Sequence, residues 1–291
     1  MKIKMIASDM DDTLLNNDRK ISPRNLAAIK KALAAGIVFT LATGRMYRSI
    51  KPFAEQLQLD VPLIAYNGAL VKGALSEEVY VRKPLQLQTA LDALAYCKEK
   101  GYYVQAYIDD ELLVKEENEY SRMYSRISGV PTTAVGEAVY NINKAPHKLL
   151  LMTESKDFAA AWQDVAARFK GRMDVTSSKD NFLELMEPGV NKWGAVEALA
   201  ASFGIQPEEI MCIGDSNNDL SMIANAGIGV AVANAKPQVQ QAAKLITASN
   251  DNDGVALAIE NILTRLTIRK IEKLTQSKDT AFMQRCFLIF G

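Results

Sequence analysis

Asp9 and Asp11 stand two residues apart in the run Asp9-Met10-Asp11-Asp12-Thr13-Leu14-Leu15, directly after the stretch Lys2 to Ser8, which reads as a short buried strand. A carboxylate at a strand end can act as a nucleophile, and a second one beside it can hold a proton or help bind a cation. The same residues also suit an Asp-rich turn, since Asp side chains bond nearby amides and cap helices. Three more places carry reactive or phosphate-holding groups: Thr43 with Gly44, Asn191-Lys192, and Gly214-Asp215-Ser216-Asn217-Asn218-Asp219. Such a set suits phosphoryl transfer, which requires a held dianion, offset charge and an attacking oxygen in line. Carboxylates are hard ligands for Mg²⁺, while the Thr43 hydroxyl, Asn218, Lys192 and backbone amides can donate to phosphate. Singly, each is equally a strand end or a helix cap; jointly, they need to share one edge of a sheet.

The elements that must position them alternate. Ser22-Pro23 opens a helix that runs to Gly36, and Ile37 to Ala42 forms a second apolar strand ending at Thr43. A helix from Tyr47 to Leu57 contains Pro52, and Pro62 to Tyr66 forms a third strand. This rhythm predicts right-handed crossovers and a parallel sheet, with chemistry at the carboxyl ends of its strands. From about residue 71 the rhythm changes to α+β: a helix over Leu87 to Lys100, a strand over Tyr103 to Ile108 and a helix around Glu117 to Ile127. A strand at Lys148 to Met152 follows, then a helix from Phe158 to Phe169 and two strands linked through Ser178-Lys179-Asp180-Asn181. The first rhythm returns with a helix at Trp193 to Phe203 and a strand at Ile210 to Ile213, and ends with a helix from Val255 to Leu266. The division expected is a core over 1–83 and 189–266, an inserted α+β domain over 84–188, and a tail over 267–291 with no assigned role.

Composition narrows the partners. Lys+Arg and Asp+Glu are both 34 in 291 residues, so net charge favours neither nucleic acid nor an anionic membrane. Cys97, Cys212 and Cys286 have neither metal-type nor redox-type spacing, and an odd number suits a reducing, cytoplasmic setting. No signal-like segment and no apolar run of about eighteen residues is present. His147 is the only histidine, which excludes mechanisms needing two, and it is read as structural. Arg45 is read as a local salt-bridge partner or a substrate contact. Tyr102, Tyr103, Tyr107 and Tyr124 are packing candidates, and Gly227-Ile228-Gly229 lacks the placement of a dinucleotide fingerprint.

The order of these motifs resembles the haloacid dehalogenase (HAD) superfamily of phosphatases. Ala65-Tyr66-Asn67-Gly68-Ala69, Thr43-Gly44-Arg45, the insertion before Lys192, and Asp251-Asn252-Asp253-Gly254-Val255-Ala256 resemble its Cof-type sugar-phosphate phosphatases with a C2 (IIB-like) cap. The resemblance covers about residues 1 to 265. It implies a Rossmann-like α/β core with an inserted cap, and a cytoplasmic Mg²⁺-dependent phosphatase acting on small phosphorylated metabolites through an aspartyl-phosphate. Asp9 would be the nucleophile and Asp11 the acid and base. Asp9, the Asp11 carbonyl and Asp215 would hold the metal. Met10, Thr43, Gly44, Lys192 and Asn218 would grip phosphate, and Asp219 would anchor Lys192 or the layer of residues behind the ligands rather than touch the metal. Two departures stand out: Asp12 where the superfamily often has Gly, and Trp193 where a glycine is commoner after the lysine. A phosphomutase of the phosphomannomutase type, which would return the phosphoryl group to a sugar, is the enzyme alternative. A phosphate- or metal-binding protein without turnover is the alternative from another class.

Overall fold

A computed structural model describes residues 2–179 and 181–264. The expectations for Asp180, for the end of the last helix at Leu266, and for 267–291 with Cys286 lie outside the described residues.

Strand β1 (Met5–Ser8) is buried on both faces, as an apolar run at the centre of a parallel sheet must be. Helix α1 (Pro23–Ala34) starts where the Ser22 hydroxyl accepts from the Asn25 amide, with Pro23 pre-set for the first turn. Next come β2 (Val38–Leu41) and α2 (Tyr47–Leu57), the latter passing through Pro52 without a break. Strands β3 (Pro62–Ala65), β4 (Leu70–Gly73) and β5 (Val79–Arg82) form an antiparallel three-stranded sheet. Beyond it lie α3 (Leu87–Lys100), β6 (Tyr103–Ile108), β7 (Glu111–Val114), α4 (Glu119–Ser128), β8 (Thr133–Ala134), β9 (Lys148–Met152), α5 (Phe158–Arg168), β10 (Asp174–Lys179) and β11 (Phe182–Met186). The chain ends its described part with α6 (Lys192–Ser202), β12 (Ile210–Gly214), α7 (Leu220–Asn225), β13 (Ile228–Ala231), α8 (Pro237–Ala242), β14 (Leu245–Ile246) and α9 over residues 254–264.

The main sheet has the order β14-β13-β12-β1-β2, and every pairing in it is parallel. The third strand departs from expectation. Its link to β2 is one parallel bridge, Ala42 to Ile64, because β3 turns back through Tyr66-Asn67-Gly68 to pair with β4.

The second large sheet has the order β10-β11-β9-β6-β7-β8 and is antiparallel except between β7 and β8. Its side chains alternate between two apolar clusters, as the period of two requires. Val104, Ala106, Leu149, Leu151, Leu183 and Leu185 pack with α3 and α5 residues such as Leu94 and Val165. Tyr107, Leu150, Met152, Phe182 and Met186 join the cluster that includes Ile6, Met10 and Phe39. The molecule is thus a mixed α/β structure in which a parallel sheet faces an antiparallel one.

Candidate active site

Register alone brings the acids together. Ser8 is paired with Leu41 on one side and Ile213 on the other. Asp9, Thr43 and Asp215 therefore emerge from three neighbouring strand ends within two residues of that row. Gly214 lets the following loop fold back, since a Cβ there would lie 2.6 Å from the Asp219 side chain. Asp219 uses that space: its Oδ2 accepts from the amides of Asp215 at 3.0 Å and Ser216 at 2.9 Å.

Lys192 arrives from the other direction. The Asn191 side chain caps α6 by accepting from the Gly194 amide at 2.9 Å, which places Lys192 in the first turn. The helix start presses on Gly68, whose φ is +104° and where a Cβ would come within 2.6 Å of the Asn191 carbonyl. Lys192 is 0% exposed, and its Nζ donates to Asp9 Oδ1 and Asp219 Oδ1, each at 2.6 Å.

Asp9 and Asp219 therefore share one ammonium, with the Asp215 carboxyl beside them. Ligand oxygens of Asp9, Asp215 and Asp219 lie within 4.8 Å of one another. Burial pushes the Asp9 carboxyl well above its usual range; Lys192 pulls it down, and Asp219 and Asp215 push it up again. Burial and then Asp219 lift Asp215 to about 6, against hydrogen bonds from the hydroxyls of Ser216 at 2.7 Å and Thr13 at 2.8 Å. Burial works against the charge of Lys192, but Asp219 and Asp9 outweigh it and hold the ammonium above its usual range. An excess of buried oxygen anions fits a hard divalent cation. Both Asp219 oxygens accept from a lysine ammonium and fixed backbone amides, whereas those of Asp215 accept from hydroxyls that can rotate away, so Asp9 and Asp215 are the better placed ligands.

Asp11 points to a different partner. Arg45 grips it with Nε to Oδ2 at 2.7 Å and Nη2 to Oδ1 at 2.6 Å. Burial lowers the affinity of Arg45 for its proton, yet Asp11 reverses this and raises it. Of the two roles open to Arg45, the structure has the local salt bridge. Thr43 is 1% exposed; its hydroxyl accepts from the Arg45 amide at 3.2 Å, and its amide donates to the Ile64 carbonyl at 3.0 Å. Asp9, Asp11, Thr43, Gly44 and Asn218 line a common cavity of about 60 Å³.

The remaining motif residues hold the frame. The Met10 side chain is buried, and its carbonyl accepts from the amides of Leu14 and Leu15. Asp12 has φ 56°, the left-handed turn for which a glycine would serve, and its carbonyl accepts from Asn234 Nδ2 at 2.7 Å. Asp251 accepts from the Asn17 amide at 2.8 Å, tying the run at 251–254 to the loop after β1. Trp193 packs against the cluster of Ala195, Val196 and Leu199. His147 is buried and stacked on Tyr66 at 5.0 Å, and its ring nitrogens have no hydrogen-bond partner among the described residues. Cys97 and Cys212 are buried.

Lys148 and Glu184 also line the cavity, and sequence reasoning assigned them nothing. A signal existed: each is the one charge inside an apolar strand, Lys148-Leu149-Leu150-Leu151-Met152 and Phe182-Leu183-Glu184-Leu185-Met186.

A parallel α/β sheet that gathers carboxylates, a lysine and a threonine at its carboxyl edge defines an enzyme of the phosphoryl-transfer class. The chain belongs to the haloacid dehalogenase-like hydrolase family, whose model matches residues 6–259, and it is a phosphatase. It is 31% identical over 290 residues to the 5-amino-6-(5-phospho-D-ribitylamino)uracil phosphatase YwtE of Bacillus subtilis, covering 90% of this chain and 99% of that one. A haloacid dehalogenase-like hydrolase from Bacteroides thetaiotaomicron superposes with a TM-score of 0.82 at 29% identity, covering 90% of this chain and 100% of that one. The HAD subclass IIB sugar phosphatase BT4131 gives 0.78 at 25% identity, covering 89% and 98%. Among the described residues no helix is long and apolar enough to cross a membrane.

Proposed function

We propose that the chain is a Mg²⁺-dependent phosphatase of small phosphorylated polyols or sugars, working through an aspartyl-phosphate on Asp9. The observation that carries this is the cluster of Asp9, Asp215 and Asp219 around a single Lys192. Residues 84–188 are assigned as a cap over a core formed by 1–83 and 189–266. YwtE is named for a phosphorylated ribityl compound and BT4131 as a sugar phosphatase. Both descriptions share a phosphate ester on a polyhydroxylated chain.

In the first step an Asp9 oxygen attacks phosphorus, the bond from phosphorus to the ester oxygen breaks, and that oxygen takes a proton from Asp11. In the second, Asp11 takes a proton from water, the water oxygen attacks phosphorus, and the Asp9–phosphorus bond breaks to release phosphate. Arg45 engages both Asp11 oxygens, so its grip must loosen before an Asp11 oxygen can exchange a proton with the ester oxygen or with water. Lys192 offsets the repulsion between Asp9 and a dianion, assisted by Thr43, Asn218 and the backbone around Met10 and Gly44. Mg²⁺ held by Asp9, the Asp11 carbonyl and Asp215 would supply further charge neutralisation. A cap over this site would admit substrate when open and exclude bulk water when closed.

The test is phosphate release from sugar phosphates, ribityl phosphates including flavin mononucleotide, pyridoxal phosphate and nucleotides, with Mg²⁺ and with chelator. Chelator-sensitive release, lost in Asp9→Asn by roughly 10⁴-fold or more, is expected. Release that survives chelator would contradict the metal assignment. Transfer to a sugar in place of water would support the mutase alternative, and metal-dependent phosphate binding without release the non-catalytic one.

A further inference from the structure

The two charges inside the apolar strands of the cap are joined to the phosphate loops by a chain of hydrogen bonds. Lys148 on β9 and Glu184 on β11 are 1% and 3% exposed, and Lys148 Nζ lies 3.0 Å from Glu184 Oε1. They are diagonal neighbours on one face, since Glu184 is paired with Leu150. Lys148 Nζ also donates to the Gly44 carbonyl at 2.8 Å, in the turn after Thr43. Glu184 Oε2 accepts from Asn67 Nδ2 at 2.6 Å, and Asn67 Oδ1 accepts from Asn218 Nδ2 at 2.9 Å.

Chemistry fixes the direction of this chain. A carboxylate only accepts, so Glu184 draws the amide nitrogen of Asn67 toward it. The Asn67 oxygen must then face Asn218, which turns the Asn218 nitrogen toward Asn67; its second N–H is the one left for phosphate, and its Oδ1 stays buried with no hydrogen-bond partner among the described residues. Asn67 is also held at φ 53°, next to Tyr66 at φ 50°, a left-handed pair that persists only where its surroundings over-determine it.

We infer that Lys148 and Glu184 are positioning residues for the phosphoryl site. Seated against the core, they fix the turn after Thr43 through the Gly44 carbonyl and the orientation of Asn218 through Asn67. The phosphate grip is complete only when the cap is docked. This rests on the phosphatase reading for its kinetic consequence, and on geometry alone for the coupling itself. The competing role for two charges lining the cavity is direct contact with the leaving group.

Glu184→Gln separates the two roles, because it keeps the shape but adds N–H donors that cannot all face acceptors, and Asn67 loses its fixed polarity. Turnover of p-nitrophenyl phosphate and ribose 5-phosphate is compared. Positioning predicts that kcat falls for both by a similar factor, roughly tenfold to a hundredfold, with little change in KM. It also predicts that Glu184→Gln costs less in the Asn218→Ala background than in the unmodified protein, because the Asn67 route is then already lost. A loss confined to the KM of ribose 5-phosphate, or losses that multiply in the double variant, would overturn the proposal. The coupling is read independently of turnover in protein labelled with ¹⁵N-asparagine, with side-chain amide signals assigned by their disappearance in Asn67→Ala and Asn218→Ala. Glu184→Gln should shift the Asn218 signal, and should no longer do so in the Asn67→Ala background; an unmoved Asn218 signal refutes the relay. If Glu184→Gln does not fold, Asn67→Ala takes its place in the kinetic comparison, with the same fall in kcat expected for both esters. Absence of phosphate release by the unmodified protein would sink the phosphatase reading and leave the amide signals to decide the relay.

Discussion

Two lysines are buried at the site, Lys148 lining the cavity and Lys192 bonded to Asp9, and their charged surroundings differ. Lys148, on β9, forms its salt bridge with Glu184, one positive charge against one negative. Lys192 in the core bonds Asp9 and Asp219, with Asp215 close by, so its site carries excess negative charge. Removing an ion from water costs several kcal/mol even after relaxation, so a balanced pair is tolerable and an unbalanced one needs a reason. On the proposed function the reason lies in the reaction, in which these acids would serve as metal ligands and nucleophile. In the cap, balance lets the pair serve as a fixed point.

The largest effect should come from Lys192→Met. It leaves the buried acids without their ammonium, and we expect phosphate release to fall by roughly 10³-fold or more. Without added metal the same variant should lose about 3–5 kcal/mol in urea unfolding. Adding Asp219→Leu to it should not restore that stability, because Asp9 and Asp215 still repel each other.

The cap pair should behave in the opposite way. Glu184→Leu alone strands Lys148 and should cost about 3–5 kcal/mol. The double variant Lys148→Met/Glu184→Leu should recover much of that in the same urea titration, since a neutral pair can be replaced by apolar side chains. Its kcat should stay low, because stability returns and positioning does not. Recovery of stability and rate together would erase the distinction between the two lysines.

The smallest effect belongs to His147. Burial, reinforced by Arg82 and opposed by Asp109, lowers its pKa to about 4 from an ordinary 6.5. The unfolded chain therefore binds the proton more readily between these values, and stability is lost as pH falls from 6.5 toward 4. In His147→Phe, which keeps an aromatic ring against Tyr66, the pH dependence of Tm in that window should flatten. An unchanged slope would assign the acid sensitivity elsewhere.

Asp9, Thr43 and Asp215 could be brought together from sequence because each follows an apolar run of a strand buried on both faces, and parallel neighbours align their ends. Lys192 was legible from the motif order and from the helix expected to begin beside it, whereas the Asn191 cap that fixes that helix start is seen in the structure. The segment at Leu70–Gly73 was not recognised as a strand, because four residues are too few for a period and two of them, Lys72 and Gly73, are poor strand formers. Glu111–Val114 escaped for the same reason of length. The grip of Arg45 on Asp11 and the path from Glu184 through Asn67 to Asn218 join segments 34 to 151 positions apart, which no local spacing encodes.

The central claim, that Asp9 attacks phosphorus, is tested most directly by trapping. Protein turning over its best substrate with Mg²⁺ is quenched in acid, digested, and its peptides are weighed by mass spectrometry. The account predicts a phosphorylated peptide carrying Asp9 that is absent before substrate is added and absent from Asp9→Asn. Steady phosphate release with no such peptide, together with release retained in Asp9→Asn, would contradict it.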